Sequence, residues 1–121
     1  MRHIESQIQI ACVRWFRYQY PHYALNLFSV PNGGWRGKFE AAIMKAEGIT
    51  AGVSDLLLLV PNASHHGLCI EMKTGERGSR QSKAQKEWQQ AVESQGYQYA
   101  VCHCFDEFVT TTTRYLDFSK K

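Results

Sequence analysis

Apolar residues recur at helical spacing in the first part of the chain. Their three- and four-residue period predicts a helix over about residues 4–19, with an apolar face made by Ile4, Ile8, Ala11, Cys12 and Trp15. Pro21 has no backbone N–H to donate, so the helix is expected to end before it. A short strand is predicted next, over about residues 24–30.

The same periodicity predicts two further helices. One covers about residues 37–47 and ends at Gly48, a residue suited to the left-handed position after a helix. Its apolar positions are expected to be buried: Phe39, Ala42, Ile43 and Ala46. The other starts near Ser82, which has capping-box spacing to Gln85, and ends at Gly96. Its expected buried positions are Ala84, Trp88, Ala91 and Val92.

Two short apolar runs around a turn-rich stretch predict a β-hairpin. The runs are residues 56–60 and 68–70, and the turn covers residues 61–67. With the loop centred near Ser64, position 57 is expected to face 71 and position 55 to face 73. Asp55 and Glu71 would then be diagonal neighbours, with Cα atoms roughly 7–8 Å apart.

The last part of the chain predicts an alternating strand over about residues 97–104 and a helix over about residues 106–115. Four consecutive threonines at 110–113 weaken that helix, because β-branched residues have low helix propensity. The element order is α-β-α-β-β-α-β-α, which indicates a mixed α/β fold. With 121 residues, the chain is expected to form a single domain, residues 1–121.

The hairpin carries the candidate chemistry. Glu71 and Lys73 are two positions apart, so strand alternation puts both side chains on one face. Asp55 and Glu71 together suit a hard cation such as Mg²⁺ or Mn²⁺, to which the backbone carbonyl of Met72 could add a ligand. Lys73 would orient or deprotonate a water and steady a phosphate. This set predicts metal-dependent phosphodiester hydrolysis. The structural alternative is an Asp55–Lys73 ion pair at the sheet rim.

Composition and charge limit the class of protein but do not by themselves identify its function. The formal net charge of +3 is too small to indicate nucleic-acid binding by itself. The polar start of the chain has no signal-peptide pattern, and no apolar run is long enough to span a bilayer, so a cytoplasmic protein is expected. The four cysteines lack the paired spacing of a zinc site and are expected to be reduced core thiols.

At these residues the chain resembles the VRR-NUC family of the PD-(D/E)XK nuclease superfamily. The similarity rests on a Pro-Asn-Gly-Gly loop with Arg36, a glycine-rich segment ending in Asp55, the Glu71-Met72-Lys73 motif, and Ser82, Gln85 and Trp88. Ser54 stands where the family usually has proline. The resemblance implies a restriction-endonuclease-like core, a central mixed β-sheet flanked by helices.

The resemblance also implies a function and roles for residues. Asp55 and Glu71 would be ligands of Mg²⁺ or Mn²⁺, and Lys73 the catalytic lysine. Glu5 matches an acidic residue on the family's first helix, and Gln85 would point back at the site. The structural alternatives are a first-turn helix acid for Glu5 and a capping or helix-surface residue for Gln85.

Members made of this domain alone resemble phage-type proteins that cut branched DNA, including four-way (Holliday) junctions. A homodimer would supply two sites for two cuts. Its interface is predicted among four aromatic residues that could equally belong to the core: Trp15, Phe16, Tyr18 and Tyr20. Basic residues flank the acidic motif and could contact the DNA backbone: Arg36, Lys38, Arg77, Arg80, Lys83 and Lys86. The alternatives are a flap or duplex nuclease and a non-catalytic DNA-binding module.

Overall fold

The computed structural model describes residues 2–31, 37–75 and 80–118, with side chains from residue 4 onward. Its helices are α1 (Arg2–Gln19), a 3₁₀ helix (Pro21–Asn26), α2 (Lys38–Ala46), α3 (Lys83–Glu93) and α4 (Phe105–Asp117). Its strands are β1 (Leu27–Ser29), β2 (Leu56–Leu58), β3 (Leu68–Met72) and β4 (Gln98–Cys102). The predicted order of helices and strands is confirmed.

The strands form one mixed sheet in the order β1-β2-β3-β4. Strands β1, β2 and β3 are antiparallel neighbours, whereas β4 runs parallel to β3. A parallel neighbour needs a crossover connection, and α3 provides it. The predicted α/β class, a mixed sheet flanked by helices, is therefore confirmed.

The predicted register of the hairpin is wrong by two residues. Leu57 pairs with Cys69 rather than with Glu71, so the hairpin is centred one residue earlier than predicted. One position beyond the pair of Leu56 and Ile70, Asp55 comes directly opposite Glu71. The physical reason lies in the turn, where the Asn62 side chain accepts the backbone N–H groups of the two residues at 64 and 65.

The core lies between one face of the sheet and the helices α1 and α4. Cys12 and Phe16 of α1, together with Phe108 of α4, are fully buried against the sheet's leucines. The predicted apolar face of α1 is therefore shifted, since Ile4 and Ala11 are exposed and Phe16 is buried instead. The rings of Trp15 and Phe16 pack in this core region.

Helix α2 differs from the prediction in its environment. It forms where its periodicity places it, and Gly48 follows with φ of +110°. The predicted burial is wrong, however: no residue of α2 is buried, and the Phe39 side chain is 78% exposed. An amphipathic pattern shows that a helix has an apolar face, but it cannot show whether the same chain covers that face.

Two smaller predictions are corrected or completed. The segment predicted as a strand from residue 24 is a 3₁₀ helix before a three-residue β1. The threonine-rich helix α4 forms in full, because one face packs in the core and buries Phe108, Tyr115 and Leu116. The hydroxyl of the buried Thr112 is satisfied by donating to the carbonyl oxygen of Phe108. The four cysteines are free thiols, three of them buried and Cys104 exposed. None of the described helices has the length and apolar composition needed to cross a membrane.

Candidate active site

Two carboxylates face each other where β2 begins and β3 ends. Asp55 precedes β2, and its Oδ2 accepts a 2.7 Å hydrogen bond from the backbone N–H of Met72. Glu71 lies opposite on β3, only 3% exposed. The backbone bond fixes the Asp55 carboxylate beside the strand that carries Glu71, so the two acids share one small volume.

The proximity and burial of these acids make ionisation of both unfavourable. Burial is the main cause that raises the pKa of Glu71, to about 7, and the negative charge of Asp55 adds to it. Burial likewise raises the pKa of Asp55, against the stabilising hydrogen bond from Met72. Such a pair is a poor arrangement for stability and a suitable one for binding a cation.

Lys73 lies at the same end of the sheet. Its Nζ donates a 3.1 Å hydrogen bond to Gln85 Oε1 and lies 3.7 Å from Glu71 Oε2. The ion pair therefore joins Lys73 to Glu71, not to Asp55 as the structural alternative supposed. With its side chain 14% exposed, Lys73 is held in place yet retains access to solvent.

Gln85 links the helix α3 to these groups. Its Nε2 donates to Glu71 Oε2 at 2.9 Å, while its Oε1 accepts from Lys73 and from the backbone N–H of Ser82. The Ser82 hydroxyl accepts the Gln85 backbone N–H in return, which completes the predicted capping box. Gln85 is therefore a capping residue whose side chain also contacts Glu71 and Lys73.

Gly52 allows α3 to approach this closely. Its φ is +88°, and a Cβ added there would overlap the backbone carbonyl of Ala84 and lie 2.9 Å from the Gln85 backbone nitrogen. Only a residue without a side chain fits both the conformation and the space. Gly52 therefore lets the backbone of α3 approach closely beside the site.

Glu5 projects from α1 toward the same region. Its Oε2 lies 2.8 Å from the place that a Cβ on Gly75 would occupy, and its charge contributes to the raised pKa of Asp55. Both Glu5 and Asp55 line a groove that extends along α1. The structure therefore brings Glu5 to the edge of the carboxylate pair.

A second set of hydrogen bonds, not anticipated from the sequence, holds Glu71 from β4. Tyr99 O–H donates to Glu71 Oε1 at 3.3 Å, and the Gln81 side chain donates to the Tyr99 oxygen at 3.2 Å and to Gln89 at 2.8 Å. The available signal was strand alternation, since Tyr99 pairs with Cys69 and shares the face of Glu71.

The predicted basic residues divide into two groups. Lys38 starts α2, Arg80 precedes α3, and Lys83 and Lys86 lie in the first turn of α3, all with exposed side chains. Arg36 and Arg77 lie outside the described residues. Lys83 and Lys86 therefore present positive charge to solvent on the helix whose Gln85 contacts Glu71 and Lys73.

The donor chemistry of the site fits a hard divalent cation. Two neighbouring carboxylates with raised pKa values gain most from a positive charge, and Mg²⁺ is commonly bound by only one or two carboxylates, with water completing its shell. Within the described ranges no three histidine, cysteine or acidic side chains form a larger cluster suited to a metal. Oxygen ligation by Asp55 and Glu71 is therefore the chemistry these residues offer.

Asp55, Glu71 and Lys73 thus lie together at one end of a mixed sheet. The model of the VRR-NUC domain matches residues 4–106, and the chain belongs to this family of nucleases, whose substrate is DNA. Among solved structures, a VRR_NUC domain protein is 25% identical and superposes with a TM-score of 0.82, over 95% of this chain and 89% of that one. None of the curated proteins matches the chain.

Proposed function

We propose that this protein is a metal-dependent, structure-selective DNA endonuclease that hydrolyses phosphodiester bonds in branched DNA such as four-way junctions. The observation that carries the proposal is the position of Asp55 directly opposite Glu71, with Lys73 hydrogen-bonded beside them. Its proposed location is the cytoplasm of a bacterial or phage-infected cell.

Asp55 and Glu71 would hold Mg²⁺ or Mn²⁺, with the Met72 carbonyl as a further candidate ligand. The cation, when bound, supplies Lewis-acid activation of water and neutralises charge on the phosphate. Glu5, at the mouth of the site, is proposed to contribute through a water molecule. Hydrogen bonds from Tyr99 and Gln85 keep the Glu71 carboxylate in one orientation.

Lys73 is proposed to position the attacking water and to stabilise charge on the scissile phosphate. Its Nζ donates to Gln85 Oε1, which leaves two N–H groups for water and phosphate. The amide oxygen of Gln85 accepts a hydrogen bond from the Lys73 ammonium group, and its amide nitrogen donates one to Glu71. One side chain therefore fixes both groups. A lysine held in this way loses little side-chain entropy when substrate binds.

DNA is proposed to be recognised by its shape. Four exposed basic residues are proposed to contact phosphates: Lys38, Arg80, Lys83 and Lys86. The proposal extends to Arg36 and Arg77, which lie outside the described residues. Contacts of this kind set position and affinity but carry no base sequence. This favours selection by the geometry of a junction rather than by a sequence.

A homodimer is proposed to form through the apolar face of α2. Phe39 and Ile43 project from that face into solvent, and Ile49 is exposed just beyond it. Of the aromatic residues predicted for the interface, Phe16 is buried, whereas Tyr18 alone is largely exposed, at 86%.

Light scattering tests the dimer and should give twice 13.9 kDa for the wild type and 13.9 kDa for Phe39→Glu. A wild type of 13.9 kDa at all concentrations contradicts the dimer.

The activity is tested with labelled four-way junction, flap and linear duplex DNA, each incubated with Mg²⁺, Mn²⁺ or EDTA. We expect cutting of the junction in either metal and none in EDTA. Preference for flap or linear DNA would favour a repair- or restriction-like nuclease. Binding without cutting in any metal would indicate a non-catalytic module, and cutting that persists in EDTA would exclude the metal mechanism.

A further inference from the structure

A groove of about 1000 Å³ leads from Asp55, one member of the carboxylate pair, along α1. Asp55 and Met72 line it on the sheet side, and Ser29 lies at the end of the neighbouring strand β1. The groove is continuous with the candidate active site but extends well beyond the atoms that would take part in hydrolysis.

One face of α1 forms the opposite wall. The lining positions on the helix recur at four-residue steps, from Glu5 through Gln9 to Arg17, with Ile10 and Arg14 beside them. The buried residues Cys12 and Phe16 lie outside this set of lining positions. Helix α1 therefore has one face for the core and another for the groove, where Ile10 is 53% exposed.

The groove is acidic at one end and basic at the other. Glu5 is at the end with Asp55, whereas Arg14 lies nine positions further along α1, about 14 Å away. Arg17 donates to the backbone carbonyls of Ala24 and Leu27, which fixes its guanidinium. Neither arginine pairs with a carboxylate in the part of the chain that the structure describes. Their positive charges are therefore available to an anion in the groove.

We propose that this groove holds the sugar-phosphate backbone of one DNA strand as it leaves the cut, and that Arg14 binds one of its phosphates. The proposal rests on the function proposed above. An elongated groove that starts at Asp55, beside the proposed position of the scissile phosphate, and ends in two arginines without a carboxylate partner fits a polyanion better than a compact ligand. The exposed Ile10 offers an apolar surface to the sugars between the charged ends.

The groove and the basic residues of α3 lie on opposite sides of the candidate active site. Tyr99 faces α3, with its ring 6.2 Å from that of Trp88, whereas Ala100 packs on the core that α1 covers. The helices α1 and α3 thus lie on opposite faces of the sheet, with Asp55 and Glu71 at the sheet end between them. A strand that crosses this end would meet positive charge on both sides of the cut.

The test compares Arg14→Ala and Arg14→Lys with Arg114→Ala, which removes an exposed arginine from α4. Each change is made in the Lys73→Ala background, which is expected to bind DNA without cutting it. Junction binding is measured by fluorescence anisotropy over a salt series. We expect Arg14→Ala to reduce the slope of log K against log salt by about 0.9, and Arg14→Lys and Arg114→Ala to leave it unchanged.

A second measurement locates the strand. One strand is shortened stepwise on either side of the scissile phosphate. Truncation within about four nucleotides on one side should weaken binding by the Lys73→Ala protein and leave binding by its Arg14→Ala derivative unaffected, because 14 Å corresponds to about four steps of duplex rise. Equal losses for both proteins on both sides would overturn the proposal.

The outcomes separate the groove from the nuclease function. If the wild type cuts DNA and Arg14→Ala has the salt slope of Arg114→Ala, the groove proposal fails alone. If binding has an Arg14-dependent slope but the wild type never cuts, the groove stands and the proposed hydrolysis fails. If the wild type neither binds nor cuts any DNA, both proposals fail.

Discussion

Neighbouring residues fix the positions of Asp55 and Glu71 but compensate only part of their negative charge. Met72 fixes Asp55 through its backbone, and Tyr99 and Gln85 fix Glu71 through their side chains. Lys73 offsets part of the negative charge, but both carboxyl pKa values remain above their ordinary range. At the residue scale, hydrogen bonds fix both carboxylates while their charge is only partly compensated, which supports the proposal that a cation binds there.

Replacing Asp55 by asparagine should remove cation binding without unfolding the protein. The Asn oxygen can still accept the N–H of Met72, while one negative charge is lost. Calorimetry with Mn²⁺ should show affinity reduced by more than the roughly 10- to 100-fold typical of losing an outer-shell partner. The exposed Asp117→Asn is the matched control, and equal Mn²⁺ affinity in both variants would contradict a ligand role for Asp55.

Replacing Tyr99 by phenylalanine tests the hydrogen bond that orients Glu71. The ring contact with Trp88 is retained, so the change isolates the hydroxyl. We expect Mn²⁺ affinity to fall about tenfold and kcat to fall, with KM for DNA unchanged. Tyr97→Phe alters a tyrosine whose ring packs on His66 and should match the wild type. A Tyr99 variant with wild-type metal affinity would show that the hydroxyl does not position Glu71.

At the element scale, the site depends on how closely α3 approaches the turn before β2. The capping box that starts α3 was predictable, because it depends on residues three positions apart. The hairpin register was not, because its turn could close around more than one centre. Tyr99 was also missed, since its partner Glu71 is adjacent only through the parallel pairing of β3 and β4.

Replacing Gly52 by alanine should displace α3 and lower activity. The new Cβ would overlap the Ala84 carbonyl at a positive φ, and we expect a loss of about 2 kcal/mol or more in unfolding free energy. Gly48→Ala is the matched control, because Gly48 has φ of +110° with nothing within 4 Å. Denaturant unfolding measures the free energy of unfolding of both variants. Equal losses would mean that backbone conformation, not contact with α3, sets the requirement at Gly52.

At the scale of the whole molecule, one face of the sheet carries the core and the other faces α3, and the candidate chemistry lies at one end. The pattern of apolar residues predicted the helices and their order, but not the exposure of α2, which depends on what meets it from outside the chain. The two surfaces proposed to bind partners are therefore the exposed apolar face of α2 and the groove along α1.

Stability of the metal-free protein should decrease as pH rises from about 4.5 to 7. The Glu71 pKa is raised from 4.5 to about 7 in the folded state, so the folded protein binds more protons than the unfolded chain in this window. The loss is at most about 3 kcal/mol and should be complete above pH 7. Thermal melts in EDTA should show a smaller decrease for Asp55→Asn than for the wild type. Identical pH dependence would contradict the coupling of the two acids.

The most direct test is to measure both DNA cleavage and DNA binding for the Lys73→Ala variant. With Mg²⁺ and four-way junction DNA, we expect this variant to lose cutting while its junction affinity and melting temperature stay close to those of the wild type. Lys45→Ala removes an exposed lysine from α2 and should cut normally. If Lys73→Ala cuts at the wild-type rate, or loses binding and folding together with cutting, Lys73 is not the catalytic lysine of this site.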